Sequence, residues 1–156
     1  MKLADVLNKD TFLITRHFKN TDEFYEAFAG LLKKKEIIKD QNKVRRLFIK
    51  REKIQSTAIG KGVATPHIFS EEFRDFFISV AYIKEGMPYK APDEKDVKLI
   101  FLIMSNDRYV SFHLKSLANI ARIVSKLDPI GELAGIASEE VLYNKIIELE
   151  NRLEKM

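Results

Sequence analysis

Apolar positions along this chain alternate between two spacings. Between Asn20 and Ile38, Phe24, Ala27, Phe28 and Leu31 fall three and four residues apart, the spacing of an amphipathic helix. Asn20 with Glu23 three residues on forms a capping pattern at its start. The lysines at 33–35 suit its C-terminus. Residues 41–55 predict a second helix, with Val44, Leu47, Phe48 and Ile54 as its apolar stripe. Arg51 falls on that same stripe. An arginine in phase with an apolar face either snorkels out to solvent or meets an anion.

The pattern then changes. "GVAT" (62–65) predicts a short strand, and "FFISVAYI" (76–83) and "VKLIFLIMS" (97–105) predict stronger ones, rich in β-branched and aromatic residues. Both longer runs are almost continuously apolar, as in strands covered on both faces. Residues 85–96, with Pro88 and Pro92, read as a loop. Helical spacing returns at 111–127, with Leu117, Ile120, Ala121, Val124 and Leu127 on one face. A short helix is expected within 128–137. Ser138 then caps a final helix with Leu142, Ile146, Leu149 and Leu153 turned inward. Helices at both ends of a central group of strands predict an α/β fold, with α+β as the alternative, and helices over both sheet faces. No repeat, low-complexity segment or linker-like cluster interrupts the chain, so one domain is expected over residues 1–156.

Composition narrows the chemistry. Of 156 residues, 46% are hydrophobic and 32% charged, and cysteine is absent. That excludes a disulfide framework, a thiolate zinc site and a cysteine nucleophile, and it fits a reducing compartment. The N-terminal stretch lacks the apolar core of a signal peptide. No apolar run approaches the roughly 18 residues of a membrane span. The expectation is a cytoplasmic protein with no direct membrane insertion. Net charge is +4, from 27 basic and 23 acidic residues. The basic runs at 33–35 and 45–46 stand beside Glu36, Asp40 and Glu52, which reads as a solvated helix face rather than a nucleic-acid surface.

Three histidines remain. His17, in "LITRHFKN", has no chemical neighbours and reads as a surface residue. His67 lies in "AIGKGVATPHIFS". Pro66 biases Thr65 toward extended geometry, so a strand end is expected just before His67. Gly60 and Gly62 permit a tight turn upstream. Gly-Lys-Gly is neither a P-loop nor a dinucleotide fingerprint. His67 is either a reactive group presented there or a turn residue. His113 opens the 111–127 helix out of phase with its main stripe, so it either contributes at the helix start or faces solvent. No His-x-x-x-His pair or carboxylate cluster supports a metal site. No Gly-x-Ser-x-Gly elbow is present. Ser56 and Thr57, though near His67 in sequence, do not by that make a triad.

Taken in order, these pieces resemble a known family. "REKIQSTAIGKGVATPH" (51–67) is similar to the segment around the phosphorylated histidine of enzyme IIA, fructose/mannitol type, of the bacterial phosphotransferase system, including its nitrogen-regulatory branch. "APDEKDVKLIFLIMSND", "HLKSLANIARIV" and "ASEEVLYNKIIE" resemble the family's Asp-x-x-x-Val strand, His-Leu helix and closing helix. The likeness spans roughly residues 20 to 150. It implies a mixed sheet sandwiched by helices in three α/β/α layers. It implies that His67 is the phosphoryl acceptor, His113 the second active-site histidine, Arg51 a cation near the phosphate and Thr57 a residue lining the pocket. It further implies a histidine-containing phosphocarrier protein as donor, an enzyme IIB/IIC or a regulatory protein as acceptor or partner, and no metal or cofactor. The chain departs from the pattern at Thr65, where an aliphatic residue is usual, at Ile68, where a small one is common, and through 68–77. That last segment is expected to border the docking surface.

Overall fold

The computed structural model describes residues 1–156. Six strands form one mixed sheet: β1 (Leu13–Thr15), β2 (Ala58–Gly60), β3 (Val63–Ala64), β4 (His67–Phe69), β5 (Phe77–Met87) and β6 (Val97–Ser105). The helices are α1 (Thr21–Lys34), α2 (Gln41–Ile54), α3 (Val110–Lys126), α4 (Pro129–Glu132) and α5 (Glu139–Glu154). Strand order across the sheet is β1-β5-β6-β3-β2, with β4 also paired to β6. The two long strands, β5 and β6, are antiparallel neighbours at its centre. β1 lies parallel to β5, and β3 and β4 both lie parallel to β6.

The two faces of β6 explain why its sequence is apolar throughout. Leu99, Phe101 and Ile103 pack in one core with Ile120, Ile123 and Val124 of α3 and Leu142, Ile146, Leu149 and Leu153 of α5. Ile100, Leu102 and Met104 pack in the other with Phe24, Phe28 and Leu32 of α1 and Val44 and Phe48 of α2. Alternate residues of one strand thus feed two separate cores, the arrangement of a three-layer α/β/α sandwich. On the α1/α2 side, Tyr25 stacks on Phe48 with ring centroids 4.8 Å apart.

Helix ends follow their caps. The Asn20 side chain accepts from Glu23 N, Asp40 from Lys43 N and Ser138 from Val141 N. Each satisfies a donor the first helical turn leaves free. All four residues expected to face inward on α5 are buried.

Several expectations need correction. Ile54 is 75% exposed rather than part of the α2 stripe. It is the last residue of α2, beyond the sheet-facing Val44 and Phe48. Ala121 of α3 is exposed. The buried positions there are His113, Ser116, Ile120, Ile123 and Val124, so His113 is in phase with the buried face rather than out of it. β5 runs on to Met87, past the expected start of the loop, with a register irregularity between Tyr82 and Met87 and Gly86 at φ +82°.

The register on either side of Pro66 adds to what the sequence implied there. Val63 and Ala64 pair with Leu99 and Ile100, and His67, Ile68 and Phe69 pair with Ile103, Met104 and Ser105. The offset is the same across all five pairs. β3 and β4 therefore form one extended run beside β6. Pro66 interrupts it because it has no N–H to give, while its carbonyl still accepts from Ile103 N at 3.0 Å. β3 does end at Ala64, before His67 as expected, but β4 resumes the same register at once and carries His67. Upstream, Gly60, Lys61 and Gly62 all adopt positive φ, forming the tight turn that joins β2 to β3.

Candidate functional site

Strand alternation decides which way His67 faces. Ala64 and Ile68 belong to the core on the α1/α2 side, whereas Val63 belongs to the α3/α5 side. His67 and Phe69, two apart, therefore face α3 with Val63. On β6 the same face carries Leu99, Phe101 and Ile103, and the run ends with Ser105, which is fully buried. His113 enters this space from the first turns of α3.

The two histidine rings stand edge to face, with centroids 6.3 Å apart. His67 is half-buried, and its Nδ1 lies 3.0 Å from the carbonyl oxygen of Thr65. A carbonyl oxygen only accepts, so Nδ1 carries the proton and donates. In the neutral ring, the lone pair is then on Nε2.

His113 is only 2% exposed. Phe69 stacks on it with ring centroids 4.1 Å apart, and Phe76 meets it edge-on at 5.4 Å. Its Nε2 is 2.7 Å from Ser105 Oγ. Its Nδ1 is buried and has no hydrogen-bond partner. Burial in this aromatic setting, and secondly the neighbouring His67, push its pKa down to about 4. Removal from water penalises the charged ring, so His113 is neutral at pH 7.

The other two expected site residues are engaged elsewhere. The half-buried Arg51 donates from Nη1 to the Gln55 carbonyl at 2.7 Å, closing the end of its own helix. α2 packs against β4, but no hydrogen bond joins Arg51 to either histidine. Thr57 is buried, and its hydroxyl meets the Glu52 carboxylate and the Tyr89 hydroxyl. Glu52 also accepts from Tyr89 Oη at 2.5 Å and Thr57 N at 3.2 Å. Tyr25 Oη lies 3.0 Å from Tyr89 Oη. Burial, with the Glu52 charge beside it, pushes the Tyr89 phenol well up, so it stays a donor. This cluster ties the end of α2 to β2. The Thr57 carbonyl then accepts from Thr65 N at 2.9 Å, so the cluster braces the extended segment leading to His67.

His17 is exposed, as expected of a surface residue, and its Nδ1 lies 3.1 Å from the Gly86 carbonyl oxygen. No cluster of three or more metal-ligating side chains exists. No helix is long and apolar enough to cross a membrane.

Sequence reasoning missed Ser105, Phe69 and Phe76. For Phe69 a signal was available: once His67 is placed on a strand, the residue two positions on shares its face. Ser105 offered a weaker one, as the polar end of an apolar run.

Comparison with known proteins identifies the architecture. The family model "Phosphoenolpyruvate-dependent sugar phosphotransferase system, EIIA 2" matches residues 5–149. The fructose-specific EIIABC component of the phosphotransferase system from Bacillus subtilis is 24% identical over 146 residues, covering 94% of this chain. This chain spans only 23% of that relative's length. The crystal structure of the nitrogen regulatory protein IIA-Ntr from Neisseria meningitidis superposes with a TM-score of 0.82 at 24% identity, covering 92% of this chain and 98% of that one. The mannitol IIA enzyme of Escherichia coli, solved in complex with its phosphorylated enzyme IIB, gives a TM-score of 0.71 at 16% identity and covers 94% and 97%. The fold built from the apolar pattern and the match along nearly the whole chain lead to one assignment: the chain belongs to the EIIA 2 family of the phosphoenolpyruvate-dependent sugar phosphotransferase system.

Proposed function

We propose that this protein is a phosphocarrier in which His67 Nε2 accepts a phosphoryl group from a histidine-containing phosphocarrier protein and passes it to an enzyme IIB partner. The observation that carries this reading is the Nδ1 contact of His67 with the Thr65 carbonyl. It fixes the tautomer and leaves Nε2 as the nucleophilic nitrogen of a half-exposed ring. In the transfer, the Nε2 lone pair forms the new N–P bond as the donor's N–P bond breaks and its electron pair returns to the donor imidazole. The donor is already activated, so the site has mainly to align the nitrogens and stabilise the phosphoryl charge. A neutral His113 adds no positive charge, but it can donate a hydrogen bond to a phosphoryl oxygen. Arg51 supplies the cation in this reading. Its guanidinium has N–H groups beyond the one given to Gln55, and a planar fork suits phosphate oxygens. Thr57 acts through the backbone, steadying Thr65 and so His67. The mannitol IIA–IIB complex among the structural relatives supports a IIB acceptor.

Intact-mass analysis tests this. With a phosphoenolpyruvate-driven donor pair, the wild type gains one phosphoryl group, His17→Ala also gains it, and His67→Ala does not. An unchanged wild-type mass, with a donor that phosphorylates a control IIA, overturns the reading.

A second reading, a phosphorylation-dependent regulatory module, draws on the likeness to a nitrogen regulatory protein across 98% of that chain. Affinity capture with wild type and His67→Ala separates the two. A regulator bound in a His67-dependent way favours regulation, and a IIB alone favours sugar transport.

A further inference from the structure

Ser105 lies where three lines of the structure meet. It ends β6 on the α3-facing side, pairs in register with Phe69, and is fully buried. Its hydroxyl has two neighbours able to accept its one proton: the Asn106 carbonyl at 2.8 Å and His113 Nε2 at 2.7 Å. Only two proton arrangements satisfy that geometry. In the first, Ser105 donates to the Asn106 carbonyl and accepts from His113 Nε2–H, so His113 Nδ1 holds a lone pair. In the second, Ser105 turns its proton to His113 Nε2, and Nδ1 carries the N–H. A hydroxyl suits both because it donates and accepts at once.

The rest of the pocket distinguishes the two states. His113 Nδ1 is buried with no partner. An unpartnered buried N–H loses a strong donor's hydration, whereas the first arrangement keeps both serine contacts made. With His67 unmodified, the first arrangement is favoured. A phosphoryl group on His67 changes this, because its oxygens only accept. Nε2 is occupied by Ser105, so Nδ1 is the one ring atom of His113 with which to meet it. That requires Nδ1–H, and hence the second arrangement.

Resting on the phosphocarrier reading, we propose that Ser105 is a positioning residue whose hydroxyl sets the tautomer of His113: Nε2–H while His67 is free, Nδ1–H once His67 carries a phosphoryl group. The net change is one proton leaving Nε2 for solvent and one arriving at Nδ1, with the serine proton turning from Asn106 to Nε2. No charge is gained or lost. The Phe69 and Phe76 contacts keep the ring in place while its protons exchange. Asn106 gives up one hydroxyl donor in the second state, and its side chain caps the turn at Asp107–Tyr109 that leads into α3.

Nitrogen-15 spectra of the histidine side chains test the proposal in two arms. The first uses no phosphoryl donor. Wild type gives a single His113 tautomer with a lone-pair shift at Nδ1. Ser105→Ala, shown folded by its amide spectrum, gives averaged shifts at both nitrogens, and Ser105→Thr restores the wild-type pattern. If Ser105→Ala keeps the single wild-type tautomer, or if the unmodified wild type is already Nδ1–H, the proposal is overturned. The second arm adds the donor. Wild-type His113 Nδ1 moves to an N–H shift, and the phosphohistidine of Ser105→Ala hydrolyses several-fold faster than that of wild type or Ser105→Thr. A phosphorylated wild type whose His113 shifts do not change also overturns it. A wild type that accepts no phosphoryl group on His67 instead overturns the phosphocarrier reading, and the first arm still decides whether Ser105 sets the tautomer.

Discussion

Replacing His113 with glutamine should flatten the dependence of stability on pH between 7 and 4. The His113 ring sits between Phe69 and Phe76 and is almost fully removed from water. Its pKa is pushed down to about 4, against about 6.5 in an unfolded chain. Over the window between those values the unfolded state binds more protons than the folded state, so stability rises with pH. It is fully present above about 6.5 and is lost as pH falls. Linkage puts the loss at about 2 kcal/mol by pH 5 and about 3 kcal/mol by pH 4. Other groups also titrate on the way down. The Lys43 and Arg152 partners hold the Glu71 and Glu132 carboxylates below their usual range, so protonating these also reduces stability at the acid end. Those groups are the same in both proteins, and the difference between them isolates His113. The assay is urea unfolding followed by circular dichroism at half-unit steps of pH. Going down from pH 7, the wild type should lose more stability than His113→Gln by the amounts above, whatever the gap between the two at pH 7. Parallel curves would refute the claim that burial holds this ring neutral.

Two further substitutions probe the frame around the site. Glu52→Gln weakens the acceptor shared by Tyr89, Thr57 and Tyr25. It should cost about 1–3 kcal/mol in urea unfolding, the range for disturbing a buried hydrogen bond to a charge; an unchanged midpoint would mean that the cluster does not brace β2. Gly62→Ala places a Cβ at φ +78° and 3.2 Å from Ile130 Cγ1. It should cost about 1–2 kcal/mol for the left-handed backbone alone, measured as a lowered unfolding midpoint, and a variant as stable as wild type would contradict that geometry.

Most of the architecture was legible because it depends on apolar spacing. β6 spans the expected residues, and the four inward positions of α5 are all buried. The continuous apolar character of β5 and β6 correctly implied cover on both faces. Periodicity failed where buried residues are polar. The buried stripe of α3 begins with His113 and Ser116 before it reaches Ile120. A pattern that counts only apolar residues starts that stripe too late and leaves His113 out of phase. Ile54 fails for the opposite reason: its apolar side chain continues the α2 spacing, but the helix ends there.

The site was legible in its members more than in its geometry. Pro66 suggested a break, because proline usually removes a ladder hydrogen bond. Only the register shows that the break is chemical and not geometric, since the pairs on either side of it keep one offset along β6. That continuity has a consequence for the chemistry. Because the strand does not turn at Pro66, alternation puts His67 and Phe69 on the side of the sheet facing α3, while Ile68 goes to the other core. The same alternation along β6 delivers Ser105 to that face. A one-residue slip at Pro66 would send His67 toward α1 and α2 and bring Ile68 to His113 instead. The position of the candidate nucleophile is therefore set by pairing with a strand more than thirty residues away in sequence, which is why no local reading of the Pro-His segment could supply it.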